Sequence, residues 1–199
     1  MKFVTYLDIL LEKKKFMLKK KFYTLCYHFS IDKKLINKLW KEIQINYSDN
    51  TRHYHTFEHL KHIYEEFESL KINKSIEFAI FYHDIIYDVR KKTNEEKSAL
   101  FAKKRLKQLH VPLKIIIEVI KLIEETNKYQ TDSIEYSLFL DADLAILGSD
   151  EIAYEIYLQQ IRKEFSIYDE KTYNKGRKSL LKKFLEKEKI YHTLHFSEK

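Results

Sequence analysis

Residues 75–86 read Ser-Ile-Glu-Phe-Ala-Ile-Phe-Tyr-His-Asp-Ile-Ile, and this stretch decides the fold. Ser75 can cap a helix, and the run behind it is apolar nearly all round: Ile76, Phe78, Ala79, Ile80, Phe81, then Ile85 and Ile86. A helix that apolar is central to the fold, so other elements must surround it. Those elements are not strands. The 199 residues contain 2 glycines and 1 proline, whereas hairpin turns and bulges consume glycine. A sheet-rich domain is excluded, and an all-α, compact multi-helix bundle is expected.

Helical spacing continues on both sides. Residues 2–29 repeat Phe3, Tyr6, Leu7, Leu10 and Leu11, then run through Lys13–Lys15 and Lys19–Lys21 around Phe16, Met17 and Leu18. Such a basic amphipathic helix could lie on a membrane or on nucleic acid, but packing its stripe on the domain is the commoner use. Asp32 can cap a helix carrying Leu35, Ile36, Leu39, Trp40 and Ile43, and the polar stretch Ser48–Arg52 ends it. A helix from about Thr56 places His59, Ile63, Phe67 and Leu70 on one stripe. Further helices are expected over 94–110 and from Pro112, in the first turn, to Asn127. Ser133–Leu147 follows, closed by Gly148; then a helix capped by Ser149 to Phe165, and a last one over 169–191. Eight or nine helices, with no repeat and no linker, make a single domain over 1–199. The basic N-terminal helix (1–29) leads into a core over 31–191.

Composition narrows the function. The formal net charge is +7, from 37 Lys+Arg against 30 Asp+Glu, mostly spread along the chain. That excess could serve a nucleotide, a nucleic acid or nothing. Cys26 is the only cysteine, so neither an internal disulfide nor a cysteine zinc cage can form. The apolar N-terminal stretch is broken by Asp8, with lysines where a cleavage site would stand, and no segment approaches a membrane span. A cytoplasmic location is the expectation.

Ionisable residues sit inside the most apolar segments. His83 and Asp84 follow Phe81 and Tyr82, and Asp141 and Asp143 interrupt Leu138-Phe139-Leu140 and Leu144-Ala145-Ile146-Leu147. An unpaired buried carboxylate costs several kcal/mol, so these groups need cations or strong donors. Lysine or arginine partners would be one answer. A metal answers for all of them, since imidazole and carboxylate suit hard and borderline divalent cations. His55 and His59 are four apart and share a face if both are helical. The adjacent pair His83-Asp84 can meet one ion if its side chains straddle the site, and a third helix brings Asp143, as helical bundles build metal sites. The zinc-protease motif is excluded because Thr56 follows His55 where glutamate is required. No serine sits in a glycine elbow.

The ordered set His…His-Asp…Asp resembles the HD-domain superfamily of metal-dependent phosphohydrolases, most closely its predicted metal-dependent phosphohydrolase branch. The resemblance covers about residues 40–191. It rests on Trp40, Arg52-His53-Tyr54-His55, His83-Asp84-x-x-Tyr87-Asp88, Asn94-Glu95-x-x-Ser98-Ala99, the segment from Leu140 to Gly148, Ile161-Arg162-x-Glu164-Phe165 and Tyr173-x-x-Gly176-Arg177. It implies an HD-like helical bundle and metal ligands His59, His83, Asp84 and Asp143, with Asp141 a neighbour. Tyr54-His55-x-x-x-His59 is also similar to a cyclic nucleotide phosphodiesterase motif, which nominates His55 as general acid. Asn94 and Tyr129 stand where two-metal relatives carry histidines, so one divalent ion is expected: Mn, Fe, Co, Ni or Zn. Glu95 or Asp88 would orient the attacking water, and Arg52, Arg162 and Arg177 would clamp phosphate. Tyr54, Phe57 and Tyr87 could stack a base, although core packing explains them more simply. The implied substrate is a phosphomonoester or phosphodiester, a nucleotide first. Two other readings stay open: a metal or nucleotide sensor without turnover, and a nucleic-acid or membrane adaptor acting through residues 1–29.

Overall fold

The structure, a computed structural model, describes residues 6–127 and 133–197. All secondary structure among the described residues is helical. In chain order the helices are α1 (Tyr6–Tyr27), α2 (Lys33–Tyr47), α3 (Phe57–Glu66), α4 (Lys74–Tyr82), α5 (Asn94–Gln108), α6 (Leu113–Glu125) and α7 (Ile134–Asp143). A 3₁₀ turn (Ala145–Gly148) leads into α8 (Glu151–Glu164), α9 (Glu170–Leu185) and the short α10 (Leu194–Ser197). None of these helices is long and apolar enough to cross a membrane.

The central position expected of residues 75–86 is the one observed. α4 buries every residue from Ser75 to Tyr82 except Glu77. Around it pack Leu18, Phe22 and Leu25 of α1, Ile36 and Trp40 of α2, Leu60 and Ile63 of α3, Ile116 and Val119 of α6 and Phe139 of α7. The Phe22 ring meets Phe81 edge-on at 5.0 Å and Trp40 at 5.8 Å. Each such side chain contributes about 1.5–3 kcal/mol by leaving water. Cys26 lies in this core, where burial pushes its thiol up to about 12 and leaves it unreactive.

α1 lays its apolar stripe on the domain. Lys15 and Lys21 fold over the rings of Phe57 and Tyr64 at 5.9 and 4.6 Å. The apolar stripe of α1 is therefore occupied from Leu18 to Cys26, while Lys13, Lys19 and Lys20 stand exposed. Phe3, Tyr129 and the side chains of Tyr6, Leu7, Leu10 and Leu11 lie outside the described residues.

Helix ends differ from expectation in instructive ways. α4 starts one residue before Ser75, so Asn73 caps it by accepting from the Ile76 amide at 2.9 Å, and Ser75 donates to Glu118 instead. Asp150 rather than Ser149 caps α8. α7 stops at Asp143 and the chain tightens into the 3₁₀ turn before Gly148. α9 ends at Leu185 rather than Tyr191 because the chain must leave the helix to reach Asp141. That buried carboxylate accepts from the His192 amide, the Thr193 amide and the Thr193 hydroxyl at 2.7–3.0 Å. Phe196 then enters the main core fully buried, so the core extends past residue 191.

Candidate metal centre

Three helix ends and one loop build the site. α3, capped by Thr56, carries His59 two residues into the helix, buried at 2 % exposure. α4 ends at Tyr82, so His83 is its C-cap and Asp84 lies just beyond. His83 keeps helical backbone angles (φ −59°, ψ −42°), and its Nε2 and the Oδ2 of Asp84 come within 3.1 Å of one another. Asp143 is the last residue of α7. His55 precedes α3 instead of lying on it, yet its ring centroid is 5.6 Å from that of His59.

One Nε2 or carboxylate oxygen each from His59, His83 and Asp143 lies within 4.8 Å of the other two, a grouping able to hold a metal ion. His59 Nε2 is 3.1 Å from His83 Nε2 and 3.1 Å from Asp143 Oδ1, and His83 Nε2 is 3.5 Å from the same oxygen. Asp84 Oδ2 borders the group, 3.1 Å from His83 Nε2 and 3.8 Å from His59 Nε2. Donors about 2.0–2.2 Å from one cation stand roughly 3.0–3.6 Å apart, so these spacings suit a shared ion. The donor chemistry fits as well. His83 Nδ1 faces the Ile80 carbonyl at 3.1 Å, which in the neutral ring puts the proton there and turns the Nε2 lone pair towards the other donors.

The electrostatics follow from the same crowding. Burial works against a charge on His83, but Asp84 and Asp143 outweigh it and raise its pKa well above the ordinary value. Burial likewise opposes the ionised aspartates, yet His83 and His55 hold Asp84, and His59 and His83 hold Asp143, well below the usual carboxylate range. His59, dominated by burial, is lowered. Two half-buried carboxylates set against buried imidazoles favour a positive charge in their midst, and a divalent cation supplies one as a proton does.

Beside this group stands a second constellation that the sequence reading did not single out. Glu164, at the end of α8, accepts from the amides of His53, Tyr54 and His55 with one oxygen, at 2.8, 2.8 and 2.9 Å. Its other oxygen is 2.7 Å from His55 Nδ1 and accepts from the Tyr87 hydroxyl at 3.0 Å. Burial resists the charge, but His55 and the loop amides bring the Glu164 pKa down to about 2. In return Asp84 and Glu164 overcome burial and raise the pKa of His55. The imidazole is thus oriented through Nδ1, and its Nε2 is 3.9 Å from Asp84 Oδ2. A signal existed in the sequence: Tyr157, Ile161 and Glu164 fall at i, i+4, i+7, which puts the carboxylate at a core-facing position.

A cavity of about 500 Å³ opens on the centre and is lined by His55, His59, Asp84, Asp143, Glu95 and Arg177 among others. Glu95 is half-buried there, and burial followed by the charges of Asp84 and Asp143 raises its pKa. Tyr54 lines the cavity too, with its ring packed against His59 at 5.0 Å and Tyr157 at 4.7 Å. Arg177 lies over Tyr157 and donates to its hydroxyl at 3.0 Å, so the two rings of Tyr157 and Tyr54 intervene between it and His59.

Other expected roles are corrected. Arg52 is buried, donates to the carbonyls of His55, Asp84 and Ile85 at 2.7–3.2 Å, and lies over the rings of Tyr47 and Tyr87. It ties the His55 loop to the end of α4 with three of its five N–H donors, buried among backbone and rings instead of lining the cavity. Arg162 is spent on Glu170 and the carbonyls of Phe165 and Tyr168, joining α8 to α9. Asp88 turns to Arg90, whose guanidinium pulls it down to about 2, and does not line the cavity. Asn94 latches the same loop through both backbone groups of Asp88. Phe57 is enclosed between Trp40 and Tyr47 and cannot stack a base. What the site can do is read from its donors alone, since no protein-family model, curated protein or solved structure matches this chain.

Proposed function

We propose that the chain is a metal-dependent phosphohydrolase of HD type that cleaves a phosphomonoester or phosphodiester, with a nucleotide as first candidate. The observation that carries this reading is the convergence of His59, His83 and Asp143, bordered by Asp84, beside an imidazole aligned by Glu164 at a cavity wall. His59, His83, Asp84 and Asp143 would hold the ion, and their mixed nitrogen and oxygen donors admit Mn, Fe, Co, Ni or Zn. The cation, when bound, supplies Lewis acidity and an acidified water. Water adds to phosphorus while its proton passes to Glu95, the cavity carboxylate with raised proton affinity. As the bond from phosphorus to the leaving oxygen breaks, that oxygen takes a proton from His55 Nε2. Glu164 accepts from Nδ1–H and, with Asp84, favours the imidazolium form of His55, so that Nε2 carries the second proton that it gives up.

Stripping the protein with chelator, reloading it with each metal and assaying nucleotides and simple phosphoesters tests this. His83→Ala should lose the metal and all turnover. His55→Ala should keep the metal and lose roughly 10²–10⁴-fold in kcat, the usual contribution of a positioned acid. Undiminished hydrolysis by both variants defeats the proposal, and metal binding with no hydrolysis favours the sensor reading.

A further inference from the structure

α9 is a helix whose inner face has little protein to pack on. Of its sixteen residues only Phe184 is buried. Yet Tyr173, Gly176, Arg177, Leu180, Leu181 and Phe184 follow the i, i+3, i+4, i+7, i+8, i+11 spacing of a core-facing stripe, and all six line the cavity beside the metal centre. The stripe is only partly covered: Tyr173 packs on Phe165 and Arg162, and Arg177 on Tyr157, while all six residues border the cavity. Leu144, Leu147, Ile161 of α8 and its C-cap Phe165 line the same space. His55, Asp84 and Asp143 line the same space. Largely apolar and aromatic walls with a few polar groups, around about 500 Å³, are the usual form of a small-molecule pocket.

Gly176 is the odd member. A glycine inside a helix sacrifices stability, and the ordinary reasons for accepting that are missing here. Its φ is not positive, and a Cβ built at this position meets nothing within 4 Å. Gly176 is exposed and lines the cavity, so a side chain there would project into open space at its wall. Next to it, Arg177 carries a charge whose polar partners are the phenols of Tyr157 and Tyr154 rather than carboxylates, and its Nε is buried without a partner.

We infer that this cavity seats a flat, aromatic leaving group of the phosphoester, and that Gly176 keeps open the room it needs. The inference rests on the phosphohydrolase reading for the word leaving, but the pocket makes its own prediction about binding. Ring walls from Tyr157, Phe165, Tyr173 and Phe184 favour an aromatic occupant by area and by stacking.

Phenyl phosphate and 1-naphthyl phosphate carry the same head group on one ring or two. With chelated protein, which cannot turn over, naphthyl fluorescence reports binding of the larger ester and competition reports the smaller. The second ring should tighten binding by about tenfold from its buried area. Gly176→Leu should erase that preference. Leu180→Trp, filling the cavity from the same helix face, should do likewise and guards against one variant misfolding. Equal binding of the two esters by the parent chain, or a preference that survives both variants, overturns the inference. Adding the five metals separates it from the enzymatic reading. A naphthyl preference in binding with no hydrolysis under any metal removes the enzyme and keeps the pocket. Hydrolysis of both esters with no preference for two rings in binding removes the pocket and keeps the enzyme.

Discussion

Glu164 serves three backbone amides, one imidazole and one phenol, and this network makes the site sensitive to acid. Its pKa is lowered on folding from 4.5 to about 2, so its contribution is complete above 4.5 and is lost as pH falls towards 2. A shift of that size corresponds to about 3 kcal/mol at neutral pH for a side chain shielded from solvent. Glu164→Gln should therefore lower stability by roughly that amount at pH 7. The gap from the parent chain should narrow in urea titrations between pH 5 and pH 2, and a gap constant with pH would show that the charge is not what matters. At this scale the sequence was legible where an ionisable residue interrupted an apolar run, as at His83, Asp84, Asp141 and Asp143. It was opaque at Arg52 and Glu164. Their partners are backbone groups 32 and 109–111 positions away, and backbone groups leave no trace in the order of side chains.

Among the helices, α4 and α9 are opposites: one is enclosed on nearly every face, the other faces a cavity. Periodicity revealed both as helices, but it could not show whether a stripe meets a core or a space, because apolar spacing is the same in either case. Caps were harder to place, since Ser75 and Asn73 are both competent and only the register of the first turn chooses between them. The loop before α3 was harder still. Four-residue spacing suggested a shared helix face for His55 and His59, whereas His55 lies outside any helix and is held there by Arg52 and by Glu164 at the end of α8. α9 offers a clean stability test. Gly176→Ala places a methyl group where nothing stands within 4 Å, so helix propensity alone should act, raising stability by roughly 0.5–1 kcal/mol in thermal unfolding. A fall in stability would mean that the backbone there relies on glycine.

Over the whole molecule, the last described segment is drawn back onto α7 through the contact around Thr193. Asp141 is fully buried and its donors come from residues 192 and 193. Thr193→Val removes one hydrogen bond to a buried charge and should cost about 1.5–3 kcal/mol, measured by denaturant titration. Ending the chain at residue 190 removes all these donors and the buried Phe196, and should cost on the order of 5 kcal/mol or more, a large part of a typical domain's stability. Asp143 stands two residues beyond Asp141 at the tip of the same helix. The final segment is therefore a tie rod for the helix end that presents the Asp143 carboxylate. Clipping it would slacken the helix that presents that oxygen, and the metal content of a purified batch would become a gauge of whether its far end is intact.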